Sequence, residues 1–124
     1  AKKPDILGHI DLIKKLNCTG AYFDENAPRY KAAALAALEA AQKAGCVLEI
    51  NTGGVYRGFR SDFYPSFWLL DAWHGMGGRI IITADAHTTD ALTYGYEEAA
   101  KLAKSAGFAE VQVLTAQGFA PCAI

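Results

Sequence analysis

The run Arg79-Ile80-Ile81-Ile82-Thr83-Ala84-Asp85-Ala86-His87 decides how the rest of the chain is read. From Arg79 to Thr83 it is apolar and β-branched with no polar alternation, the pattern of a parallel strand buried on both faces. Asp85 and His87 follow two residues apart. If the extended backbone continues past Thr83, both side chains leave the same side of the chain. A carboxylate beside an imidazole suits a borderline divalent metal. The tripeptide equally suits Asp85 as a helix cap with His87 opening a loop.

Working outward, the same unit recurs. Asp5 to Asp11 reads as a first strand that carries His9 and Asp11 toward its end. Pro28 to Ala44 is alanine-rich, with Tyr30, Ala34, Leu35, Leu38 and Ala41 on one helical face and Gly45 placed to end the helix. Cys46 to Asn51 is the next strand, and Thr52-Gly53-Gly54 is expected to be a turn or loop. The segment from Gly53 to Tyr64 mixes Arg57, Arg60 and Asp62 with aromatics, as substrate-contacting loops do. Pro65 is expected at the first position of a helix whose apolar face is Leu69, Leu70, Trp73 and Met76, stopped by Gly77-Gly78. After the central run, Thr88, Thr89 and Asp90 are cap candidates for a helix with Glu97 and Glu98 near its start, Lys101 and Lys104 near its end, and Gly107 closing it. Val111 to Thr115 is a further strand. Gly118 to Ile124 has room for one more, against which Pro121 counts.

Strands alternating with helices through short connections call for an α/β fold with a parallel sheet and right-handed crossovers. In such sheets ligands lie beyond the carboxyl ends of the strands. Three successive strands deliver His9 with Asp11, Glu49 with Asn51, and Asp85 with His87 to that end, a coincidence that capping does not require. A metal or substrate site is therefore expected there. His74, inside a helix, reads as a surface histidine.

With 124 residues, 52% of them hydrophobic, and a formal charge of −1, the chain can bury a core and is neither disordered nor strongly basic. Its lysines and arginines are scattered, which disfavours nucleic acid as a partner. No apolar run approaches membrane-spanning length, and Ala1-Lys2-Lys3-Pro4 has no hydrophobic segment behind it to form a signal peptide, so a cytoplasmic protein is expected. Cys18, Cys46 and Cys122 form no C-x-x-C pattern and are expected to be free thiols, mostly buried.

Four motifs in order, G-H-I-D at Gly8 to Asp11, E-I-N-T-G-G at Glu49 to Gly54, Y-P-S at Tyr64 to Ser66 and D-A-H at Asp85 to His87, resemble the C-terminal half of a PHP-type histidinol phosphatase. The similarity runs through essentially the whole chain. It implies parallel β/α repeats forming the C-terminal half of a distorted (β/α)7 TIM-like barrel, with a cluster of divalent ions (Zn, Mn or Fe) at the strand ends. The implied activity is hydrolysis of a phosphomonoester, histidinol phosphate in histidine biosynthesis. On that resemblance His9, Asp85 and His87 fall on metal-ligand positions, and Glu49 and Asn51, with Asp11, support the site. Arg57 would grip phosphate through its planar, bidentate fork; the alternative is a solvated loop arginine. Ala84 stands where the family usually has serine, which removes no ligand. The family's site also draws on an H-x-H and further His and Glu ligands upstream, and this chain's three histidines include no H-x-H. The chain begins immediately before a strand and ends on one, so the trailing half of a barrel is expected, with an N-terminal half or a second copy as partner.

The ligands imply the chemistry. Imidazoles and carboxylates holding two or more divalent ions lower the pKa of a bridging water and neutralise charge on the phosphoryl oxygens, so no side-chain nucleophile is needed. Ser61, Ser66 and the cysteines lack a recognisable histidine-plus-acid pattern. Two alternatives stand beside histidinol phosphate hydrolysis: a PHP-type phosphoesterase with another substrate, and a non-catalytic half-barrel that self-associates.

Overall fold

A computed structural model describes residues 3–124 as a mixed α/β unit around one five-stranded sheet, in the order β1-β2-β3-β4-β5. The strands are β1 (Ile6–Leu7), β2 (Val47–Asn51), β3 (Arg79–Thr83), β4 (Glu110–Thr115) and β5 (Gly118–Ala123). The helices are α1 (Pro28–Ala44), α2 (Gly53–Tyr56), α3 (Phe67–Gly75) and α4 (Tyr96–Ser105), with 3₁₀ turns at Leu12–Leu16 and Thr89–Ala91. The first four strands pair in parallel, and β2 and β3 match residue for residue from Val47 beside Arg79 to Asn51 beside Thr83.

One local device repeats before β2, β3 and β4. Gly45, Gly77 and Gly107 each stand just past a helix with positive φ (76°, 71° and 98°). In each case the glycine N–H and the next residue's N–H return to carbonyls of the last turn: Gly45 to Gln42 and Cys46 to Ala41, Gly77 to His74 and Gly78 to Trp73, Gly107 to Lys104 and Phe108 to Ala103. This left-handed closure satisfies orphan carbonyls and turns the chain toward the sheet.

Alternation along the strands separates two faces. Leu48, Ile50, Ile80 and Val111 form one buried cluster with Leu38 and Ala41 of α1, Leu69, Leu70 and Trp73 of α3, and Ala99 and Ala103 of α4. The three long helices thus cover the same face. Val47 and Ile81, also buried, lie outside that cluster. Their rows on the opposite face carry Glu49, Asn51, Thr83 and Gln112. That face is therefore mixed in polarity, whereas strands read as apolar throughout would make it a hydrophobic sheet. Leu114, 67% accessible, is an exposed apolar side chain on that face, and away from the sheet Ile13, Leu16 and Tyr22 are 70%, 63% and 76% accessible.

Several expected boundaries move. The first strand is two residues long, because His9 turns into the left-handed region (φ 55°) just beyond Gly8. Thr52-Gly53-Gly54 opens α2 instead of a loop. Pro65 follows a cis peptide, and the helix starts after Ser66, whose N–H is held by the Asp11 carboxylate. The sheet is not wholly parallel: β5 exists and runs antiparallel to β4, returning through Ala116-Gln117. Pro121 is accommodated because β5 is an edge strand, where a missing N–H breaks no ladder. Of the cysteines only Cys46 is buried; Cys18 lies in an exposed loop and Cys122 on the exposed edge. His74 is exposed and meets Phe108 edge-on at 4.8 Å. Among the described residues no helix is long and apolar enough to cross a membrane.

Candidate functional site

Beyond the carboxyl ends of the strands, His9, Gly53 and Asp85 each stand at the second position past β1, β2 and β3. Two of the three have left-handed backbone, His9 at φ 55° and Asp85 at φ 46°. Non-glycine residues rarely adopt that conformation, and it costs on the order of 1 kcal/mol. The turn at Asp85 also ends the extended run, so Asp85 and His87 are not presented by simple strand alternation.

They nevertheless converge, through Arg57. The guanidinium donates from Nη2 to Asp85 Oδ2 at 2.9 Å and from Nη1 to the Asp85 carbonyl at 2.8 Å, and Nη1 lies 3.0 Å from His87 Nδ1. His87 Nδ1 is also 2.7 Å from the Asp85 carbonyl. A neutral imidazole Nδ1 serves one of these neighbours, accepting from Arg57 or donating to the carbonyl.

Arg57 reaches this position because α2 is tied down at its start. The Asn51 side-chain oxygen accepts from the Gly53 N–H at 2.9 Å, the Thr52 N–H donates to the Thr83 carbonyl at 3.0 Å, and the Thr52 hydroxyl donates to the Tyr94 carbonyl at 2.6 Å. One turn later Arg57 projects back over Gly53. A Cβ on Gly53 would stand 2.4 Å from the Ala84 carbonyl and 2.9 Å from Arg57 Nη2, so only glycine leaves room for the guanidinium to lie there.

Beneath this cluster, Glu49 links the strand ends. One of its carboxylate oxygens accepts from the Thr83 hydroxyl and the other from Asn51 Nδ2 at 3.2 Å. A Cβ on Gly8 would lie 3.6 Å from Glu49 Oε2, so the carboxylate also reaches the end of β1. Tyr96, the first residue of α4, belongs to this neighbourhood: burial raises its hydroxyl pKa, a hydrogen bond with the Ala84 backbone works against the rise, and the Glu49 charge adds to it.

Asp11 lies apart, in a buried ionic network under α3. It is 1% exposed; its Oδ2 accepts from the Ser66 N–H at 2.8 Å and hydroxyl at 2.6 Å and lies 3.1 Å from Lys14 Nζ. Lys14, fully buried, also donates to Asp62 Oδ2 and the Ser66 hydroxyl, both at 2.7 Å. Arg60 joins Asp62 at 2.9 Å to Glu25 at 3.0 Å. Burial would raise the Asp62 carboxyl, but hydrogen bonds from Arg60 and Lys14 outweigh it and hold the group below its ordinary value. Asp11 thus fixes the start of α3 and touches none of the groups around Asp85.

Of the residues the sequence singles out, Arg57, Asp85 and His87 form one cluster and Glu49 with Asn51 a second beneath it. His9 is exposed at the end of β1, takes no part in the hydrogen bonds of either, and sits on a strand axis about 10 Å from that of β3, since β2 lies between. Among the described residues no three His, Cys, Asp or Glu side chains come together as a metal-ligand set. Sequence reasoning gave no site role to Gly53, Thr83, Tyr96 or Lys14. A cleft of about 600 Å³ lined by Val55, Phe63, Phe67, Tyr94, Glu98 and Leu102 lies between α2, α3 and α4. No protein-family model matches this chain, and no curated protein matches it, so its function is read from motifs and geometry.

Proposed function

We propose that this chain is the C-terminal half of a PHP-type barrel and part of a metal-dependent phosphatase acting on a phosphomonoester, with histidinol phosphate the first substrate to test. The observation that carries the reading is the convergence of Arg57, Asp85 and His87 at the carboxyl end of a parallel sheet. The barrel is supported by a strand order without reversal and by long helices on a single face; a doubly wound sheet places helices on both. The D-A-H, E-I-N-T-G-G and G-H-I-D motifs lie at three neighbouring strand ends, which supports the reading.

The donors fit a divalent ion in kind. A carboxylate and an imidazole already meet around a cationic group, and Zn, Mn or Fe accept that pair. His9 and ligands from an N-terminal half or a second copy would complete the set. Ions bound there would acidify a water and neutralise charge on the phosphoryl oxygens. The chain's own contributions are the Arg57 fork for phosphate, Glu49, Asn51 and Thr83 holding the strand ends in register, and the α2 turn that aims Arg57. The compartment this reading implies is the cytoplasm.

The test is phosphate release from histidinol phosphate and from a panel of other phosphomonoesters, with the metal content of each sample, for the chain alone and with a PHP N-terminal half added. Metal-dependent turnover that appears on mixing and favours histidinol phosphate supports the reading. Turnover favouring another ester redirects it to a sister phosphoesterase. No turnover and no metal in the mixed sample leaves the non-catalytic half-barrel.

A further inference from the structure

Arg57 commits its fork to the groups proposed to hold metal. Three contacts of 2.8 to 3.0 Å join its two terminal nitrogens to the Asp85 carboxylate, the Asp85 carbonyl and His87 Nδ1. Nη1 donates to the Asp85 carbonyl and Nη2 to the Asp85 carboxylate, so this guanidinium cannot also grip a phosphate bidentately through the same edge. The position is built in. α2 starts from a tie to both β2 and β3, and the cradle between Gly53 and the Ala84 carbonyl is too tight for any side chain. At 27% and 40% side-chain exposure, the Arg57–Asp85 pair is open enough to exchange.

A guanidinium and a divalent cation compete for the same lone pairs. We infer that Arg57 is a placeholder at this site: it neutralises Asp85 and occupies His87 until a divalent cation displaces it, and the displaced fork is then free to take the phosphate. The inference rests on the metal-dependent reading of this site and adds an order of events to it. One residue would prevent the strand-end carboxylate from standing uncompensated, and would present the anion-binding group only when metal is loaded. By linkage, inorganic phosphate and metal must then strengthen each other's binding by the same factor, and part of that coupling runs through Arg57.

The test is calorimetric titration of Mn²⁺ and Zn²⁺ into the purified chain, with and without inorganic phosphate, for the native protein and the Arg57→Ala, Arg57→Gln and Asp85→Asn variants. Circular dichroism confirms that each is folded, and two Arg57 variants guard against the loss of one. Removing the competitor should tighten metal binding without phosphate by roughly 1.5-fold to fivefold, the range for a partly exposed ion pair. Phosphate should then strengthen metal binding less in the Arg57 variants than in the native chain, and Asp85→Asn should weaken it throughout. Metal binding that is unchanged or weaker in both Arg57 variants, with Asp85→Asn still weakened, overturns the placeholder and leaves the metal site standing. Binding indifferent to Asp85→Asn overturns Asp85 as a ligand in this chain, and the placeholder with it; the metal reading of the completed site is decided separately by the metal content of the mixed sample.

Discussion

Replacing Lys14 with methionine is the sharpest probe of the fold. The side chain fits in volume, so the change removes an ammonium without opening a large cavity. What it leaves is Asp11, 1% exposed, with the two Ser66 donors and no cation within 4 Å. Breaking a buried pair from one side costs about 3–5 kcal/mol, because the remaining charge stays desolvated. Asp62 loses a donor as well but keeps Arg60 and faces solvent, so it adds little. With a urea m-value of about 2 kcal/mol/M for a domain of this size, the midpoint should fall by roughly 1.5–2.5 M at pH 7 and fixed protein concentration. Removing the carboxylate too, in Lys14→Met/Asp11→Ala, should recover part of the loss, since no buried charge is then left alone. The Asp62 contribution has the opposite pH sense from a base: its depressed pKa gives stability that is present above the ordinary carboxylate range and lost as pH falls through the folded value. A midpoint shift below about 0.3 M, or a double variant as unstable as the sum of its singles, would refute the account of Asp11 and Lys14 as one buried unit.

Two further outcomes are expected. Burial, with the charges of Asp11 and Glu25, pushes the Tyr30 hydroxyl up to about 12, so its stabilising effect is complete below about pH 10 and lost as pH climbs toward 12; ultraviolet titration of the native chain against Tyr30→Phe reads it directly, and a Tyr30 midpoint near 10 would contradict it. The exposed group Ile13, Leu16 and Tyr22 should drive association of the chain, so light scattering at low micromolar concentration is expected to show more than a monomer and Ile13→Asp/Leu16→Asp to shift it toward one; a native chain that stays monomeric would rule out this surface as the contact.

The α/β class was legible because β3 carries an unbroken apolar run and because Gly45, Gly77 and Gly107 punctuate the helices at fixed places before β2, β3 and β4. These are local signals with a period of one β/α unit. The sequence could not announce that the backbone would invert at His9 and Asp85, since non-glycine residues rarely adopt that conformation, and at Asp85 the inverted turn is met by Arg57 from a distant segment. For the same reason the pairing of Arg57 with Asp85, 28 residues away, was not visible, although each had been singled out separately. The role of Gly53 was hidden more deeply: in a one-dimensional reading Thr52-Gly53-Gly54 is a loop signal, and its function as a floor for Arg57 exists only once α2 folds against Ala84. Lys14 was overlooked because a lysine is expected in solvent, and only the meeting of Asp11, Asp62 and Ser66 makes its burial tolerable. Pro121 misled in the opposite direction, arguing against a strand whose edge position removes the objection.

The antiparallel return of β5 gives the sheet a direction of growth. A neighbour that tried to add beyond β5 would meet a strand broken by Pro121, with one rung of its ladder unable to donate. At the other margin β1 contributes only Ile6 and Leu7, and among the described residues no strand pairs beyond it. A newly arriving strand would find there a short, weakly committed border that additional backbone could lengthen. Enlargement of this sheet by another polypeptide is therefore expected on the β1 side, where His9 stands.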